Sequence, residues 1–209
     1  MKTRIQFICP LLFSVFVFNL AAQDNADCIQ AYQVCNQNRL HFMGQAGEGA
    51  DTKEVEADCF RNGELFGNPE KNSVWIRFNI ETGGTVTFAI VPDSSADDID
   101  FMIFTLPLTG DCKWKRAIRC MAAGDAPDNV QVSPCMGSTG LREGEKDDSE
   151  DAGCADRGDN NWLKPLQVKD GEKYVLLVSN VSNAYNGFKI RFGGTATFAC
   201  DIAGDEKKE

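Results

Sequence analysis

Three carboxylates open one alternating run of the chain. Asp97 and Asp98 stand before Ile99, and Asp100 follows it, ahead of Phe101-Met102-Ile103-Phe104. On an extended strand, residues two apart project to the same face, so Asp98 and Asp100 share a face and Asp97 reaches in from the preceding turn. Hard oxygen donors so arranged suit Ca2+, which takes about six to eight oxygen ligands. Glu70 and Asn72, just ahead of the run Ser73–Ile80, complete the shell if that run lies beside the first. The competing arrangement has Asp98 capping a turn and Asp100 paired with Arg77 or Arg119.

Aromatic residues offer a second chemistry. Trp75 lies opposite the apolar face of its run (Val74, Ile76, Phe78, Ile80), so it belongs to a second core layer or to an exposed platform. Trp114 stands between Lys113 and Lys115 at an expected hairpin tip. An exposed indole beside cations suits a protein or sugar surface, and Trp114 and Trp75 are the candidate binding residues. Trp162, directly after an acid-rich stretch, reads as a core plug. Catalysis finds little footing. His41 is the single histidine, and there is no G-x-S-x-G, H-E-x-x-H or glycine-rich phosphate loop. A pair of carboxylates acting as in glycoside hydrolysis is the one enzymatic alternative.

The elements that would hold these residues are short strands. After Ser73–Ile80 and the Gly83-Gly84 turn come Val86–Ile90, Ile99–Leu106, Arg116–Met121, Trp162–Val168, Lys173–Val181 and Gly187–Ala199. Short alternating runs separated by turn signals, with no amphipathic helix between them, predict an all-β, antiparallel sandwich or barrel, and the expected architecture is a jelly-roll-like β-sandwich. Asp27–Cys35 reads as one short N-terminal helix. Glu143–Asn160, rich in Asp and Glu, reads as a long solvated loop.

Composition sets the setting. The chain has 209 residues, 31 acidic and 21 basic side chains, and a net charge of −10, which argues against nucleic acid as a partner. Residues 1–23 read as a signal peptide: Lys2 and Arg4, an apolar run from Phe7 to Phe18, then Ala21-Ala22-Gln23. That run is too short to span a bilayer, so the chain is not expected to cross a membrane. Residues 24–205 are expected to form one domain, and 206–209 a charged tail. Of nine cysteines the leader carries Cys9, and the remaining even set reads as disulfides of an exported protein. Zinc, the competing reading, needs closer pairs than Cys28/Cys35 or Cys112/Cys120. A hairpin favours Cys112–Cys120. Proximity suggests Cys35–Cys59 and Cys135–Cys154, leaving Cys28–Cys200 to join the ends.

The order of motifs resembles a known module. The D-C-x6-C opening at Asp27, E-x-N-S-V-W-I-R-F at Glu70–Phe78, G-G-T-V-T-F, D-D-I-D-F at Asp97–Phe101 and I-R-C carry the first half of the likeness. C-x-G-x-T-G-L, V-x-x-G-E-K-Y-V-L-L-V and the closing G-F-K-I-R-F-G-G-T carry the second. Together they resemble the cysteine-containing β-sandwich module of gliding-bacteria surface proteins secreted by the type IX system, and distantly the pre-peptidase C-terminal domain. Only nine residues follow Cys200, so a stand-alone module is expected. The resemblance implies a non-enzymatic binding module, exported to the periplasm, cell surface or medium. Its partner would be an envelope or surface protein, met as an accessory or plug-like subunit of the secretion system or in adhesion. The alternative is a secreted carbohydrate-binding module that meets glycan.

Overall fold

The computed structural model describes residues 25–35, 39–44, 47–55, 70–124, 135–153, 159–182 and 185–200. They form β1 (Tyr32–Val34), β2 (Arg39–Phe42), β3 (Ser73–Thr82), β4 (Gly84–Pro92), β5 (Ile99–Leu106), β6 (Arg116–Ala123) and β7 (Thr139–Leu141). Then follow β8 (Ser149–Gly153), β9 (Trp162–Leu163), β10 (Leu166–Val168), β11 (Lys173–Asn180), β12 (Phe188–Gly194) and β13 (Thr197–Ala199). Two 3-10 turns lie at Cys28–Gln30 and Cys112–Trp114. One sheet is ordered β1-β3-β11-β5-β6-β8, with β13 also on β3; the other is β2-β12-β4-β7-β9, with β10 also on β4. The all-β sandwich expected from the alternating runs is the fold. Its sheets are mixed, because β1–β3, β6–β8 and β7–β9 pair in parallel.

The alternation in β3 works on both faces. Val74, Ile76, Phe78 and Ile80 enter the core between the sheets together with Ile103, Leu176, Phe192 and Phe198. Phe78 stacks on Tyr174 with ring centroids 5.3 Å apart. The odd positions of β3 face the other way, where Trp75, Met102, Phe104, Val175 and Leu177 form a second apolar layer. That layer is covered rather than wet because residues 25–31 and 47–55 lie over it as a strap, with Ala31 and Val55 packed onto it.

Three local expectations are corrected. Asp27–Cys35 is no helix: a 3-10 turn gives way to β1, which pairs Tyr32 with Ile76 and Val34 with Phe78. A segment this short has little helical stability of its own, and a free edge of β3 offers its backbone better partners. The Gly187–Ala199 run is two strands in different sheets. It crosses at Gly194, whose φ of +97° and 2.0 Å spacing between an added Cβ and the Thr85 carbonyl oxygen require glycine. The Glu143–Asn160 run is not wholly solvated. Ser149–Gly153 forms edge strand β8, and Glu150 is buried, accepting from the backbone N–H groups of Asn160 (3.0 Å) and Asn161 (2.8 Å).

Candidate functional site

The strap is held by carboxylates that accept backbone N–H groups left over by its irregular path. Asp27 accepts from Ala50 (2.9 Å) and Asp51 (2.9 Å), Glu54 from Cys28 (2.8 Å), and Glu70 from Val55 (3.0 Å). Asn72 accepts from Gly47 (3.3 Å). A covalent tie completes it: Cys28 and Cys112 form a disulfide with Cα atoms 6.1 Å apart. This overturns Cys112–Cys120 and Cys28–Cys200. Cys112 sits in the turn before β6, whereas Cys120 lies four positions past Arg116, about 13 Å further along a strand, beyond disulfide reach. Cys120 is instead buried in the outer layer. Cys135 is disulfide-bonded to a partner outside the described residues. Cys59 and Cys154, and with them the expected Cys35–Cys59 and Cys135–Cys154 pairs, lie outside the described residues, as do residues 1–24 and the charged tail.

Beside the disulfide the strap and the β5–β6 connection enclose a groove of about 860 Å3. Trp114, 64 % exposed, and Ile29, 82 % exposed, both line it. The indole is displayed by a braced turn, since Asp111 accepts from the Lys113 N–H (2.8 Å) and Cys112 is tied to Cys28. Lys113 Nζ lies 5.1 Å from the Trp114 ring centre, a cation–π contact. The exposed position expected for Trp114 is therefore where the structure puts it. Trp75 is not part of this surface. It is fully buried in the second layer, 5.7 Å from Phe104, so it is a packing residue and not a binding platform. Trp162 is half-buried, capped by the Arg142 guanidinium at 4.8 Å, rather than a core plug.

The carboxylates expected to share a cation divide into separate arrangements. Both oxygens of Asp97 accept amides, from Asn180 Nδ2 (3.0 Å) and Asn186 Nδ2 (3.1 Å), and Asn72 Nδ2 donates to the Asn180 carbonyl (3.2 Å). Glu70 is occupied with the strap. Among the described residues no group of three acidic, histidine or cysteine side chains is placed to share one ion. Asp98 and Asp100 remain a close pair. Asp98 reaches its place because Gly124 leaves room: an added Cβ would lie 2.1 Å from Asp98 Oδ2. Asp100 is 6 % exposed, and its Oδ1 accepts no hydrogen bond among the described residues. The alternative ion pair with arginine does not form. Arg77 Nη2 donates to Cys112 Sγ (3.3 Å) and Arg119 pairs with Asp148 at 2.7 Å.

Burial, and then the neighbouring Asp98 charge, push the Asp100 carboxyl well above the ordinary carboxylate range. Burial, and then the Glu54 charge, push Glu70 from about 4.5 up to about 7. Both shifts mean that the folded chain keeps protons which the unfolded chain has released. The contribution of these two groups to stability is therefore fullest below pH ~4 and is lost as pH rises toward the folded values. In metal-free buffer the urea midpoint is expected to drop between about pH 4.5 and 7.5, and Glu70→Gln to flatten part of that slope. A midpoint that rises across the same interval would mean these carboxyls are ionised and partnered.

No protein-family model, curated protein or solved structure matches this chain. The class is defined by fold and covalent chemistry alone: an all-β two-sheet sandwich whose outer face is covered by a disulfide-tied strap. A disulfide of this kind marks an oxidising environment, as in exported proteins. No helix among the described residues is long and apolar enough to cross a membrane.

Proposed function

We propose that this chain is a non-enzymatic, exported binding module that meets a protein of the cell envelope through the Ile29–Trp114 groove. The observation that carries the reading is a large indole and an isoleucine exposed on two elements that a disulfide holds in fixed register. A pre-ordered aromatic anchor loses little entropy on binding, and tryptophan is among the residues that dominate interface energies. The resemblance of the motif order to modules of type IX-secreted surface proteins supports an envelope setting, in secretion or adhesion. Affinity purification of the tagged protein from its own envelope, repeated with Trp114→Ala, tests it. A protein partner is expected whose affinity falls by about 30-fold or more in the variant, with the melting temperature unchanged. Glycan-array signals that require Trp114, with no protein captured, would transfer the reading to a carbohydrate-binding module. Turnover of a substrate would overturn both.

The cofactor reading narrows to Asp98 and Asp100. A Ca2+ ion there would neutralise two crowded carboxylates and engage the buried Asp100 Oδ1, with its remaining ligands from water or backbone oxygens. Ca2+ at about a hundred times its dissociation constant would stabilise by roughly 2.7 kcal/mol. The melting temperature at pH 8 is expected to rise by several degrees on adding Ca2+, and not to rise in Asp100→Asn. An unchanged melting temperature in the wild-type protein removes Ca2+ from the reading.

A further inference from the structure

We propose that Cys35 and Cys200 are joined as a disulfide that ties the first strand to the last and closes the two sheets into a covalent ring. The argument begins with register. β11 occupies one side of β3 from Ser73 to Asn79, so β1 and β13 both lie on its other side. β1 runs parallel to β3 and ends with Val34 opposite Phe78; β13 runs antiparallel and ends with Ala199 opposite Asn79. The two strands thus approach each other head-on along one edge and stop at adjacent positions. The next residue of each is a cysteine. Cys200 Sγ lies 3.3 Å from the Cys35 carbonyl oxygen, so a side-chain rotation carries sulfur toward sulfur.

Access suits the chemistry as well. Cys35 is half-buried and Cys200 exposed, so an oxidant reaches them after the sheets have formed. Two thiols give up two protons and two electrons as the S–S bond forms. The electrons pass to the disulfide of a thiol oxidoreductase of the oxidising compartment, which leaves as its dithiol. The pairing replaces the expected Cys35–Cys59 and Cys28–Cys200 bridges. It also has a mechanical consequence. Tension that enters near residue 25 and leaves beyond residue 200 loads only the short strand β1 before it crosses from Cys35 to Cys200, and bypasses the rest of both sheets.

The test uses the full chain exported to an oxidising compartment, with thiols alkylated in acid before unfolding. Chymotryptic cleavage after Tyr32 separates Cys28 from Cys35. A fragment carrying Cys35 disulfide-linked to one carrying Cys200 is expected. Alkylated Cys35 or Cys200, or either one linked to a different cysteine, overturns the proposal. Single-molecule pulling between the termini gives a second readout. Under oxidising conditions the wild-type chain is expected to show no step longer than the release of β1, a few tens of Å. Cys200→Ser, with Cys28–Cys112 intact, is expected to release the chain beyond Cys112 in a step on the order of 200 Å. The same step in the oxidised wild-type protein would also overturn the bridge.

Discussion

Trp75→Ala is expected to destabilise the protein by about 3–5 kcal/mol, the range for deleting a large aromatic from a packed interior. The side chain is fully buried although it lies on the outward face of its sheet. Its ring packs 5.7 Å from Phe104, and Lys115 Nζ stands 5.6 Å from its centre. The strap above is irregular backbone held by carboxylates and one disulfide, so it cannot collapse fully into the space that alanine leaves. A cavity would remain beneath it. Urea unfolding measures the loss directly, and a change below about 1 kcal/mol would show that Trp75 is not enclosed. Trp114→Ala is the matched control: an exposed indole on the same side of the same sheet should change stability by no more than roughly 0.5 kcal/mol.

Breaking the Cys28–Cys112 bridge should have an effect of similar size by another route. The bonded residues are 84 positions apart, and closing a loop of that length removes roughly 4.5 kcal/mol of unfolded-chain entropy in the simplest treatment. Measured losses for native disulfides lie at about 2–5 kcal/mol. For a chain of this length that is a fall in melting temperature on the order of 10 °C. Cys28→Ser, Cys112→Ser and the double variant should lose nearly the same amount, since either single change breaks the same bond. Calorimetry of the three decides it. Strongly additive losses would mean that each thiol has a separate role. Because the bridge also braces the turn at Trp114, the single variants should bind the proposed envelope partner more weakly even at temperatures where they remain folded.

Much of the architecture was legible in the pattern of side chains. Strict alternation in Ser73–Ile80 and Ile99–Leu106 marks strands because period two is the geometry of a pleat. The exposure of Trp114 followed from its lysine neighbours and the turn residues around it. Trp75 was ambiguous for a physical reason. Alternation tells which face a residue occupies, while only a remote segment determines whether that face is wet. The strap that covers Trp75 is assembled from Asp27, Glu54 and Glu70 accepting N–H groups 15 to 26 positions away. Those residues look like ordinary surface acids until the chain folds back over the sheet. For the same reason Asp97 and Asp100, three positions apart, could not be told apart by spacing. One is satisfied by Asn180 and Asn186 and the other lies beside Asp98, according to which loops reach them.

Residue order by itself determined that this is a strand-built protein with a cysteine-rich, export-suited composition, because hydrophobic period, turn residues and cysteine number are local or additive properties. Tertiary structure alone decided which cysteine meets which, which tryptophan is covered and which carboxylates are crowded together. Each of those outcomes depends on segments that are distant in the chain and adjacent in space. Cys112 has a cysteine eight positions away, yet it bonds to one 84 positions back, because a strand carries Cys120 away from it while the strap brings Cys28 to it.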